Sequence, residues 1–103
     1  MDEVLNLGGS IELAGFSSLD GGSMIILKKI VGNYAKKMSE RSDKFEKLSL
    51  VMKPVHEREH SELYEIYGKL IDNGKLISSK SADRNLFVAV DGALKKIESE
   101  ITG

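Results

Sequence analysis

The chain's two histidines stand four residues apart, in His56-Glu57-Arg58-Glu59-His60. On a helix this H-E-x-x-H spacing puts both imidazoles on one face, one turn apart, where they can bind zinc while the glutamate activates a bound water. The surroundings do not support that chemistry. There is no third histidine and no cysteine, so the next ligand would have to be a carboxylate such as Glu62. The neighbours are charged where a dry catalytic cleft needs apolar walls. We therefore read residues 56 to 60 as a solvated loop without metal. Nucleophilic chemistry is no better served, because there is no G-x-S-x-G elbow. Gly8-Gly9 and Gly21-Gly22 lack the Gly-Lys-Ser/Thr that would make either a phosphate loop. The expectation is a non-enzyme with no catalytic residue, cofactor or small-molecule substrate.

The lysines point to different chemistry. Residues 21 to 41 carry five basic residues against the single Glu40, while residues 1 to 20 carry four acidic residues and no basic one. A net charge of −1 therefore conceals a local basic surface. Lys28, Lys29, Lys36 and Lys37 read as one helix face with only Gly32 and Asn33 between them, open to close approach by a phosphate backbone. Arg41, Lys44 and Lys47 extend it. From charge alone, a solvated helix exterior explains the lysines equally well. The near-neutral total is not that of a protein holding nucleic acid by overall charge. A second candidate surface is the acidic stretch of residues 57 to 65, or a free sheet edge, either of which would make the chain a protein-interaction module with no RNA role.

The elements that must carry these residues are legible from periodicity. Residues 1 to 9 read as a flexible leader and residues 10 to 103 as a single domain, a length that supports one core without disulfides. Ile11 and Leu13 alternate with polar neighbours as a first strand. Asp20 or Ser23 caps a helix whose buried side is Met24, Leu27, Ile30, Val31, Tyr34, Ala35 and Met38, with Ile25 and Ile26 left on its polar side. Leu48, Leu50 and Met52 mark the next strand, and Pro54 ends its pattern or marks an edge. Tyr64, Ile66, Gly68 and Leu70 form a period-two run, although residues 54 to 72 also fit a helix. The period-two reading is preferred because Asn73-Gly74 then makes a two-residue hairpin with Leu70 facing Ile77. A closing helix capped by Asp83 or Asn85 buries Leu86, Val90 and Ile97. Its polar side holds Gly92, Lys95, Lys96 and Asp91, the last paired with Lys95.

The result is an α+β domain of order β-α-β-β-β-α. A right-handed crossover joins the first two strands, and both helices pack on one face of a four-stranded sheet. Tyr34, Tyr64 and Phe87 are expected in the core. No segment reads as a signal peptide or membrane span, so a cytoplasmic protein is expected.

Residues 86 to 91, read as Leu-Phe-Val-Ala-Val-Asp after Asn85, together with the Asn73-Gly74 turn and the element order, resemble the ribosome hibernation-promoting factor family. The last helix of that family opens with a polar, apolar, aromatic, Ala, Ala, apolar, Asp pattern. The resemblance covers residues 10 to 103. It implies a factor that lodges in the mRNA and tRNA channel of the small ribosomal subunit and contacts rRNA with basic residues on its two helices, so that idle ribosomes are kept inactive but intact. Lys28, Lys37 and Lys96 match the family's basic positions, and Lys29, Lys36, Arg41 and Lys95 complete the implied rRNA-binding set. Tyr34 stands where the family often has a basic residue, and Ser99 and Glu100 interrupt the basic stripe of the last helix.

Overall fold

The computed structural model describes residues 4–7, 10–56 and 62–101. Its elements run β1 (Val4–Leu7), β2 (Ile11–Ala14), α1 (Gly21–Arg41), β3 (Phe45–His56), β4 (Glu62–Asp72), β5 (Lys75–Asp83) and α2 (Leu86–Ile101). From β2 onward this is the expected β-α-β-β-β-α order. β2 and β3 are parallel, as a helical crossover requires, and β3, β4 and β5 form an antiparallel meander.

Two features differ from the sequence reading. Residues read as a flexible leader include β1, which pairs antiparallel with β2 from Val4 opposite Ala14 to Leu7 opposite Ile11 and makes the sheet five-stranded. The physical reason is that β2 would otherwise be an open edge, with a row of unpaired backbone groups that a short apolar segment can satisfy. The second is at Pro54, where the reading that it ends its strand fails and the edge reading holds: β3 runs on to His56 opposite Glu62. β2 stops at Ala14 opposite Val51. Pro54 thus lies where β3 has lost one neighbour, the edge-like setting that tolerates a missing N–H.

Alternation sorts the strands into two faces. Leu13, Leu48, Leu50, Met52, Ile66, Leu70 and Ile77 are buried on the inner face, against Leu27, Val31 and Met38 of α1 and Leu86, Val90, Leu94 and Ile97 of α2. α2 lies across β4 and β5, while α1 packs against α2 and β3. Of the residues expected inside, Leu27, Val31, Leu50, Ile66, Leu70, Ile77, Leu86, Val90 and Ile97 are buried, while Met24, Ile30, Tyr34, Tyr64 and Phe87 are half-buried at the margin of the core. The Asn73-Gly74 turn takes positive φ at both residues, 51° and 81°, as the two-residue hairpin requires.

Two glycines set the depth at which α2 sits. A Cβ on Gly68 would come 2.8 Å from both Ile97 Cδ1 and Ser79 Oγ, and one on Gly92 would come 2.5 Å from Ser81 Oγ. Gly92 therefore faces β5, not solvent as its place in the polar stripe suggests. At the same contact the Ser79 hydroxyl donates to the Ala93 carbonyl at 2.9 Å, which ties helix to strand.

Gly15 and Gly32 make a paired test. Gly15 has φ +85°, and a Cβ there would collide with the Met52 backbone carbonyl, whereas Gly32 sits in the exposed interior of α1 with nothing within 4 Å. Gly15→Ala is expected to destabilise by more than about 1 kcal/mol. Gly32→Ala should stabilise by about 0.5–1 kcal/mol through helix propensity. Urea unfolding of both variants checks the opposite signs.

Candidate nucleic-acid interface

The first helix starts at a defined cap. Asp20 accepts the Ser23 N–H at 2.7 Å, and this bond holds the Asp20 carboxyl below its ordinary pKa. The cap is therefore strongest when the carboxylate is ionised, and it is lost as pH falls through that lowered value. α2 uses both expected residues. The Asn85 side chain accepts from the N–H groups of Phe87 (2.9 Å) and Val88 (3.2 Å), and Asp83 accepts from the Asn85 N–H at 2.8 Å.

Two polar links then join the helices side by side. The Tyr34 hydroxyl donates to Asp91 Oδ1 at 2.6 Å, and Arg41 lies 3.6 Å from Glu98. Both links advance seven residues along each helix, so α1 and α2 run parallel. Asp91 thus bonds across to Tyr34 and is not the local partner of Lys95. Burial, followed by the hydrogen bond and charge of Asp91, raises the Tyr34 phenol well above its ordinary pKa, so it remains a neutral donor throughout the physiological range.

These links orient the lysines. Lys28, Lys29, Lys36 and Lys37 are all exposed, but at 100° per residue they spread over roughly 180° of arc and do not form one narrow face. Lys28, Lys36 and Lys29 occupy the flank of α1 turned away from α2. Lys37 lies toward α2, its ammonium 5.6 Å from the Tyr34 ring centroid. Arg41 is committed to Glu98. On α2, Lys95 is exposed, and Lys96 points the other way, donating to the Lys80 carbonyl of β5 at 2.7 Å. The structure therefore brings Lys28, Lys29 and Lys36 together on one flank and places Lys96 beyond α2. Their spacing along α1 was visible in the sequence, but the side on which α2 packs was not. Beside these lysines Ile25 and Ile26 are 69% and 48% exposed, at the helix entrance where the sequence places them.

The competing sites fare differently. His56 stands on the extended backbone of β3, so it does not begin a helical turn, while Glu57 and His60 lie outside the described residues. Most of the acidic stretch of residues 57 to 65 lies there as well. Among the described residues no three His, Asp or Glu side chains are grouped to hold a metal, and no helix is long and apolar enough to cross a membrane. A surface pocket of about 300 Å³ is lined by Asp43, Asp72, Lys75 and Glu100, among others. Its excess of carboxylates suits it poorly to phosphate.

No protein-family model and no curated protein matches this chain. Among solved structures, it is similar to the N-terminal domain of Protein Y from Thermus thermophilus, with a TM-score of 0.48 and 19% sequence identity, covering 73% of this chain and 78% of that one. The likeness is one of backbone arrangement.

Tyr34→Phe tests the inter-helix link. Removing the hydroxyl deprives the half-buried Asp91 of its donor and should cost about 1 kcal/mol, read as a lower urea midpoint at neutral pH. Above about pH 10, where an unfolded tyrosine ionises, the native chain should lose stability that the phenylalanine variant has already lost. The gap between the two proteins should therefore narrow.

Proposed function

We propose that this protein is a non-enzymatic ribosome-binding factor that occupies the mRNA and tRNA channel of the small subunit, inhibiting translation or protecting idle ribosomes. The observation that carries the reading is the outer flank of α1. Lys28, Lys29 and Lys36 are exposed there, and none of the ion pairs among the described residues involves them. A polyanion can reach these three ammonium groups without first breaking an ion pair among the described residues, with Glu40, one turn after Lys36, the one carboxylate of α1 on the same flank.

The sequence resemblance supplies the partner, and the orientation of the lysines refines the implied contact set. Lys28, Lys29 and Lys36 form its centre, with Lys95 and Lys37 on the upper surface between the helices. Arg41 contributes less, because it is already paired with Glu98. Lys96 contributes least, since its ammonium is held by a backbone carbonyl on the far side of α2. The mechanism is steric occupancy: a rigid domain fixed by charge where mRNA or tRNA would lie.

Co-sedimentation with purified small subunits over a salt series tests this reading. Each neutralised phosphate releases counterions, so wild-type affinity should fall steeply with salt. Changing Lys28, Lys29 and Lys36 together to glutamine should weaken binding and flatten the log–log salt slope by about two. Lys96→Gln should change the slope little. Replacing Glu57, Glu59 and Glu62 should leave binding intact. Loss of binding on that change, with the lysine variant unaffected, would favour the interaction-module reading.

A further inference from the structure

We propose that the outer face of the sheet, opposite the helices, is a second binding platform, one that takes a single-stranded segment of nucleic acid. In this arrangement Tyr67 stacks on a base and Lys53, Lys69 and Lys80 take the flanking phosphates. Both helices pack on the inner face, and no described element covers the outer one. The site lies across the sheet from the lysine flank of α1 and stands independently of it.

Strand alternation and register assemble the platform. Tyr67 is on β4 near the middle of the sheet, directly between Val51 of β3 and Lys80 of β5. The Lys53 ammonium lies 5.1 Å and the Lys80 ammonium 5.5 Å from the Tyr67 ring centroid, so cations approach the aromatic from both neighbouring strands. The phenol donates to Glu65 Oε1 at 2.9 Å, which fixes the ring's orientation. An aromatic held among lysines on an open sheet is the combination that binds single strands: the ring offers a face to any base, and the ammonium groups can turn to the adjoining phosphates.

Charge favours nucleic acid over a protein partner. The outer face carries Lys47, Lys53, Lys69 and Lys80 against Glu12 and Glu65. Both carboxylates are already engaged, Glu12 with Lys47 at 2.6 Å and Glu65 with Lys80 at 3.6 Å. Among the described residues Lys53 and Lys69 remain outside the ion pairs and give the face a positive excess, on a protein whose net charge is −1. Lys69 follows Tyr67 by two residues on the same face, and Ser49 and Ser78 sit opposite it on β3 and β5. The platform is thus largely basic and polar around its ring, with Val51 the apolar neighbour directly beside it on β3. The sequence signal was the run Glu65, Tyr67, Lys69, which alternates with the buried positions Ile66, Gly68 and Leu70.

Fluorescence anisotropy of a labelled short oligouridylate with the full chain tests the proposal. Tyr67→Ala should weaken binding about tenfold, while Tyr67→Phe, which keeps the ring, should bind as wild type. Lys53→Gln with Lys69→Gln should flatten the salt slope by about one to one and a half. The glutamine variant of Lys28, Lys29 and Lys36 should keep this Tyr67 dependence, so failure here and failure of the α1 reading are separable. The proposal is overturned if wild type has no affinity for the oligonucleotide. It is equally overturned if Tyr67→Ala, folded as judged by unchanged melting, binds like wild type. Concentration-dependent self-association lost on Tyr67→Ala, without oligonucleotide binding, would make the face a protein interface and also overturn it.

Discussion

The seating of α2 on β4 and β5 is the contact on which the rest of the domain depends. It is close because Gly68 and Gly92 have no side chain where Ile97, Ser79 and Ser81 need the space. Leu86, Val90, Leu94 and Ile97 fill the inner face over those strands, and burying each such side chain contributes about 1.5–3 kcal/mol relative to exposure. With α2 fixed, α1 has one place left, beside α2 and over β3. Asn85 and Asp20 then set where each helix begins, and the Tyr34–Asp91 and Arg41–Glu98 links hold the two in parallel register.

The orientation of the lysines follows from that register. On a helix whose four exposed lysines span about 180° of arc, the side its neighbour occupies decides which of them are turned away from that neighbour. Here the neighbour takes the Tyr34 and Arg41 side, leaving Lys28, Lys29 and Lys36 outward. The overall charge of −1 is no obstacle, because screening at physiological salt confines each charge to about 8 Å and a phosphate responds to the local surface. The same separation of local from total charge applies across the sheet, where Glu12 and Glu65 are taken up by Lys47 and Lys80.

The elements were legible wherever a short-range pattern decided them. The Asn73-Gly74 turn favoured a strand over a helix for Ile66, Gly68 and Leu70, and local pattern narrowed the caps to Asp20 or Ser23 and to Asp83 or Asn85; the structure takes the strand, Asp20 and Asn85. What remained hidden was long-range. Strand β1 exists because β2 has an edge to cover, a fact of sheet order that Val4 and Leu5 do not announce. Asp91 looks like a partner for Lys95 until α1 brings Tyr34 within reach. Gly92 looks solvent-facing until β5 brings up Ser81. The candidate interface was half legible for the same reason: residue type and spacing showed lysines on a helix, but only packing decides which of them a polyanion meets.

We propose that α1 meets the ribosome through the flank turned away from α2. The most direct measurement is amine-reactive labelling of the chain, free and bound to small ribosomal subunits, read lysine by lysine by mass spectrometry. Lys28, Lys29 and Lys36 should lose reactivity on binding while Lys96 changes little. Unchanged labelling of those three in a chain that co-sediments with the subunits would contradict it.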